Sequence, residues 1–466
     1  MLLYALIRRL LRLRRDATAG GDSAAERIGA IAATLLFACH PLRVEAVAWI
    51  SCQPYLPAVA CYLLAVLAYL HAFRSSEMNR AIYLAAAFVA FVAAIGFKAV
   101  AVSLPVVLLF VDVGVLQRRS PKSTESRAGW MRLLLEKVPF VLAAIPVCLW
   151  AVAAKDYSDS RVPWSDINLS ERIAQSVYGI VFYLYRSIVP FGLSPYYRIP
   201  DDLSLTGGVY LISAIVVLTV TVALILRRKS AQGLLAAWLA YIAILLPNLG
   251  VVQFSQQLAT DRYSYLAIMP IMAVLAVGIS RLCRSTVAYA KSAMIVLCAV
   301  LTVACIVGVR SYARHWHDSI SLWQRVLALD PGCAVANCNL GDALLRQNRH
   351  ADASAHFSRA IDLDPNFSFA YANFAAMLVR AGRMEDAVIA GERALQADPP
   401  LKGMDLARAH AIVGEAYAGL RKDDLAWRHT LKAKELGFKE AQKMVDYLSR
   451  FSKPPDSGSM PEETGR

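Results

Sequence analysis

The chain has 466 residues, 57% of them hydrophobic and 18% charged. Soluble domains run at roughly 45–50% apolar, so this composition excludes a purely soluble enzyme and reads as a largely multi-span helical membrane protein. The formal net charge of +14 falls in clusters beside apolar segments, which is a membrane-topology signal before it is a nucleic-acid one.

Arg8, Arg9, Arg12, Arg14 and Arg15 form the first cluster, Arg118, Arg119 and Lys122 the second, and Arg227, Arg228 and Lys229 the third. No nucleic-acid partner is expected. Of the nine cysteines, five lie in apolar runs and no CxxC occurs. Neither a disulfide framework nor a metal site is implied.

In chain order, Met1–Ile7 is apolar but too short to cross a core of ~30 Å, and reads as the tail of a longer helix. Candidate spans follow at about 26–40, 56–73, 81–97, 99–116, 135–154, 209–226, 231–249, 264–282 and 292–309. With the first arginine cluster inside, the loops at 74–80, 117–134, 227–230 and 281–291 fall inside with most basic residues, and 40–55, 155–208 and 250–263 fall outside. Ser176–Leu193 is apolar enough to cross, but a crossing would put Arg227, Arg228 and Lys229 outside, so it reads as re-entrant or interfacial. At 36–56 a span ends on His40-Pro41 and turns into a short amphipathic helix carrying Arg43 and Glu45. Proline suits a helix start, where its missing N–H is no loss.

Beyond Val309 the composition becomes that of a soluble domain. Asp330-Pro331, Asp364-Pro365 and Asp398-Pro399 recur at a spacing of 34 residues, the tetratricopeptide period. Small residues at 341 and 375, and at 353 and 387, stand where the two helices of a repeat cross closely. A third repeat, offset by an insertion around Pro400–Leu406, supplies Gly414, Tyr417, Ala426 and Ala433, and a half-repeat at Ser319–Leu329 precedes the stack. The fold class expected is all-α: a polytopic membrane domain over 1–310, tetratricopeptide repeats over 319–450, and a disordered tail over 451–466. Val335, Cys338, Leu345, Phe369, Ala372, Ala376 and Val379 would line a mostly apolar protein-binding groove on the first helices of the repeats.

Several motifs in this order carry a resemblance: HPxxxEAVAW at 40–49, Phe97-Lys98, Pro139-Phe140, YLYRSIVPFGLSPYY at 183–197, Pro-Asn-Leu-Gly at 247–250, TDRYSYL at 260–266, then the repeats. Over roughly 25–440 the chain resembles the transmembrane and tetratricopeptide repeat-containing O-mannosyltransferases and their bacterial relatives, which are C-type membrane glycosyltransferases. The resemblance implies inverting transfer of a sugar, possibly mannose, from a polyisoprenyl-phosphate donor to a protein acceptor at the outer or lumenal membrane face. A carboxylate base and cationic phosphate contacts would serve that chemistry. The partners implied are the lipid bilayer and a protein, with the donor as substrate and no cofactor. Members carry a further helix and an acidic pair that supplies the base, and the resemblance places both before Met1. It therefore assigns the base to no residue here. The stretch Ser51–Tyr55 also lacks the charges that many relatives place after the Trp.

Each candidate has a plainer reading. His40 and Glu45 are catalytic candidates, or an interfacial helix start with a solvated carboxylate. Lys98 is a phosphate contact, or snorkels from a span end. Arg186 needs an anion, which is a ligand phosphate or a protein carboxylate. Asp261, Arg262 and Tyr263 are a binding set, with Asp261 a third catalytic candidate, or a local ion pair capping the next helix. Asp201-Asp202 reads as a turn and Asn168 as a chance glycosylation match. The competing function class is a non-catalytic, membrane-anchored scaffold whose repeats bind a partner.

Overall fold

A computed structural model describes residues 1–17, 23–73, 76–118, 126–157, 167–200, 203–250, 257–285, 289–398 and 400–454. The chain forms two compact units, Met1–Trp316 and His317–Arg466, and is all-α apart from one pair of short strands.

The first unit runs α1 (Leu2–Ala17), α2 (Ser23–Ala38), α3 (Val44–Ala48), α4 (Tyr55–Ala72), α5 (Glu77–Phe97), α6 (Leu104–Gly114) and α7 (Ser126–Leu135). It continues through α8 (Val138–Tyr157), α9 (Leu169–Ile188), β1 (Tyr197–Arg198), α10 (Gly208–Leu226), α11 (Gln232–Leu245), β2 (Gln257–Ala259), α12 (Ser264–Ala267), α13 (Met269–Leu282) and α14 (Ala290–Ala313). Every expected span falls on a helix. Among the described residues four helices are long and apolar enough to cross a membrane, Ile50–Ala72, Met78–Phe97, Gly208–Leu226 and Ala290–Trp316. Two bent pairs pass the same test, Ala24–Ala38 with Pro41–Ala48 (58°) and Asp261–Ala267 with Met269–Leu282 (57°).

Two sequence expectations change. α1 does not stop at Ile7; it runs on through the arginines, because Leu3, Leu6, Ile7, Leu11 and Leu13 make one buried stripe at helical spacing. Ser176–Leu193 does not double back either. Leu169–Ile188 is one continuous helix, opened by a capping box in which Asn168 Oδ1 accepts from Glu171 N–H (3.1 Å) and Glu171 returns the bond to Asn168 N–H (2.9 Å). Asn168 is thus a helix cap. Asp201-Asp202 lies outside the described residues.

Close helix contacts depend on missing side chains. A Cβ on Gly29 of α2 would come within 2.4 Å of the Ala276 carbonyl on α13, and one on Gly114 of α6 within 2.3 Å of Ala236 on α11. Small residues at such crossings let backbones approach and supply the packing that lipid-facing helices rely on. One end of the unit is held by charge. Asp112, fully buried, accepts from Lys137 Nζ (2.6 Å), Tyr69 OH (2.7 Å) and Arg118 (3.0 Å). Glu136 receives the Arg118 guanidinium at 2.6 and 2.8 Å and Arg80 at 3.0 Å.

The second unit stacks α15 (Ser319–Leu329), α16 (Ala334–Arg346), α17 (His350–Leu363), α18 (Ser368–Arg380), α19 (Met384–Gln396), α20 (Gly403–Gly419), α21 (Asp423–Glu435) and α22 (Ala441–Leu448). These are tetratricopeptide hairpins α16/α17, α18/α19 and α20/α21, with α15 and α22 packed on the ends. Gly341 admits the Phe357 ring, since a Cβ there would meet it at 2.8 Å, and Gly414 does the same for Thr430 at 2.7 Å. Ala353, Ala375 and Ala387 are fully buried, as their positions in the period require. The third hairpin adds a buried pair of imidazoles: His410 Nδ1 and His429 Nδ1 lie 3.0 Å apart, one donating and the other accepting.

Candidate functional site

The two bent helix pairs meet at their short arms. After α2 the chain turns at His40, whose Nδ1 accepts from Leu42 N–H (3.3 Å) and caps a turn opened by Pro41. The arm 41–48 then carries Arg43 and Glu45 inward. The second arm starts on Asp261, where the hydroxyl of Ser264 donates to the Asp261 carbonyl (2.6 Å) and steadies the turn.

Glu45 and Arg262, 217 residues apart in sequence, close the arms on each other. The Arg262 backbone N–H donates to Glu45 Oε2 (2.8 Å) and its guanidinium to Glu45 Oε1. Glu45 is 1% exposed, so this pair is made in a dry setting where an unpaired charge is expensive. The guanidinium also lies over the Trp49 ring, 5.1 Å from its centroid, and over Tyr263 at 5.1 Å.

Asp261 does not pair with Arg262, so the local ion pair expected there is corrected. Tyr197 OH donates to Asp261 Oδ1 (2.9 Å) and Tyr312 OH to Oδ2 (3.3 Å), leaving the carboxylate fully buried. Tyr197 arrives because β1 and β2 pair antiparallel with Tyr197 opposite Ala259, two residues before Asp261. Tyr312 arrives from the end of α14. Neither tyrosine was singled out from sequence for this role; the only sequence signal is that Tyr197 ends the YLYRSIVPFGLSPYY motif.

Arg43, likewise not singled out as a binding residue, is the deepest cation of the site. It is 4% exposed, and its guanidinium lies 4.8 Å from the Phe37 ring centroid and 5.4 Å from that of Tyr265. Among the described residues its Nε and Nη1 have no hydrogen-bond partner, nor has the buried hydroxyl of Tyr55 beside it. Asp261 is the carboxylate within electrostatic reach of Arg43. Glu45 answers Arg262 directly, while Asp261 has Arg186 as well as Arg43 within electrostatic reach.

The other candidate cations sit at the rim. Lys98 is exposed, at the break between α5 and the turn Ala99–Ser103, and shares its neighbour Cys52 with Arg262. Arg186 donates to the Phe191 carbonyl and lies over Phe182 at 5.4 Å. Gly192 lets the loop fold back to it: φ is +64°, a conformation open to glycine. Among the described residues no carboxylate is bonded to Lys98 or Arg186, and no group of three metal-ligating side chains occurs.

The groove read on the repeats is divided. Cys338, Leu345 and Val379 are buried in the repeat core, where Asn373 Nδ2 approaches the Cys338 sulfur at 3.4 Å. They do not line an open surface, because the next repeat covers them. Val335, Ala372 and Ala376 are half-buried, and Phe369 is exposed. A separate cleft of about 790 Å³ opens between α17 and α19, floored by Tyr371, Phe374 and Leu378.

A tetratricopeptide repeat model matches residues 309–366. No curated protein matches the chain. The repeats support a role in protein binding, since stacked helical hairpins present extended surfaces to partner chains.

Proposed function

We propose that this protein takes a sugar from a polyisoprenyl-phosphate donor and passes it to a protein acceptor recruited by its repeats. The observation that carries the reading is the joining of HPxxxEAVAW and TDRYSYL through Glu45 and Arg262, two motifs of the O-mannosyltransferase resemblance far apart in sequence. Lys98 and Arg186, to which no carboxylate among the described residues is bonded, stand as positive groups at the rim, which suits a lipid phosphate. Arg262 and Tyr263 then order the site, the first through Glu45 and the second as the face beneath that guanidinium. Glu45 and Asp261 are both engaged, so each organises an arm, and His40 fixes the turn between α2 and its arm. The acceptor hydroxyl still requires a base, and none of these three supplies it in the arrangement described.

The engagement of both carboxylates also favours a second reading, a non-catalytic scaffold that binds the lipid and a protein partner. Native mass spectrometry of the full chain with polyisoprenyl phosphate tests the shared part. Lys98→Ala and Arg186→Ala should each lower affinity about tenfold to a hundredfold, from ~1.5–3 kcal/mol per charge-assisted contact. Unchanged affinity in both would sink the lipid site. Transfer of labelled mannose from its polyisoprenyl-phosphate donor to a co-purified protein then separates enzyme from scaffold.

The reading also needs the repeats on the outer or lumenal side. Ile389 is 69% exposed on α19. In a variant stripped of native cysteines, Ile389→Cys should react with a membrane-impermeant maleimide in intact cells. Labelling only after lysis would invert the topology.

A further inference from the structure

We infer that Cys39 and Cys305 form a disulfide site that staples α14 to the arm carrying Glu45. α2 and α14 run side by side in the same direction. Ala25, Ile28 and Ala32 of α2 share an apolar cluster with Met294 and Cys298 of α14, and further along Pro41 meets Gly308, where a Cβ would come within 2.8 Å of the proline ring. From Ala32 to Cys39 is seven residues, and from Cys298 to Cys305 is seven. Two helical turns on each therefore carry the two thiols to the same level, ~10 Å beyond the cluster that holds Ala32 and Cys298. The two sulfurs lie within electrostatic reach of each other.

Both thiols are half-buried, whereas Cys283 and Cys298, the other neighbouring pair on this interface, are buried. The Cys39–Cys305 pair is thus the one a small oxidant reaches. The chemistry is exchange with a disulfide oxidant: one cysteine attacks it as a thiolate, releases one thiol and forms a mixed disulfide, and the second cysteine displaces the other thiol. Two protein thiols and one oxidant disulfide become one protein disulfide and two small thiols. The consequence lies at the C-terminal end of α14. Tyr312 holds Asp261, and α14 is the last helix before the repeat unit, so the staple fixes the Tyr312 end of α14 against the turn at His40–Pro41.

The test uses the purified full chain in detergent, which makes it independent of membrane orientation and of the sugar-transfer reading. Treatment with 4,4′-dipyridyl disulfide, which enters apolar phases, should release two thiopyridone equivalents from this pair beyond those of the other reactive thiols, and Cys39→Ser or Cys305→Ser should each cut that to one and leave a stable pyridyl adduct on the remaining cysteine. Peptide mapping without reductant should then show the Cys39 and Cys305 peptides joined. Stable, separate pyridyl adducts on the two cysteines, or a joined pair other than this one, would overturn the inference. Cys148→Ser, at an exposed thiol, is the control that leaves the joined peptide in place.

Discussion

Glu45→Ala is expected to be among the most damaging single changes in the first unit, lowering stability by ~3–5 kcal/mol. The carboxylate accepts both a backbone and a guanidinium N–H from Arg262, so its removal strands a cation whose side chain is 17% exposed. Exposed ion pairs contribute ~0–1 kcal/mol; this one differs because the alternative to the partner is a low-dielectric surrounding rather than water. Glu45→Gln keeps one acceptor and loses the charge, and should fall between wild type and Glu45→Ala. The decisive comparison is a double-mutant cycle with Arg262→Met, measured as the heat-induced loss of monodisperse protein in detergent. Glu45→Ala with Arg262→Met should be less damaging than the two single effects added together. Strict additivity would show that the arms are held by something other than this pair.

That pair also shows where sequence reasoning stopped. Helix periodicity and hydropathy placed every apolar run on a helix, because a helix satisfies the backbone of a long apolar run within the run itself. The 34-residue spacing of the Asp-Pro steps placed the repeat hairpins for a similar reason, since Gly341, Ala353 and Ala387 mark crossings that tolerate no larger side chain. Partner choice was less legible. Asp261 beside Arg262 in TDRYSYL suggests a local ion pair, yet in a tight turn adjacent side chains diverge, and Arg262 reaches Glu45 while Asp261 takes Tyr197 and Tyr312. Those partners are brought by a two-strand ladder and by the end of α14, contacts with no local signature. The repeat groove failed in part for a different reason. Helical spacing identifies a shared face, but a following repeat covers Cys338, Leu345 and Val379, so their apolar character reports the core rather than a binding surface.

Asp112 should be equally costly to remove, again by ~3–5 kcal/mol, and for a reason no single motif announces. It is fully buried on α6 and accepts from Lys137, Tyr69 and Arg118, which come from the start of α8, from α4 and from the segment after α6. Asp112→Ala leaves Lys137, whose side chain is 5% exposed, with the Tyr69 hydroxyl and the Leu133 carbonyl (3.3 Å) as bonded acceptors and the Glu136 carboxylate at the longer distance of 3.7 Å. Arg118 is better insured, because it keeps both oxygens of Glu136. The damage should therefore trace to Lys137 and not to Arg118. Lys137→Met in the Asp112→Ala background removes the stranded ammonium while filling similar volume, and should restore most of the lost thermal stability. Arg118→Met in that background should restore none, since Arg118 still has both oxygens of Glu136 and is not the cation left short of an acceptor. If Lys137→Met fails to rescue, Asp112 acts through helix packing rather than charge, and the three segments are joined by apolar contacts alone.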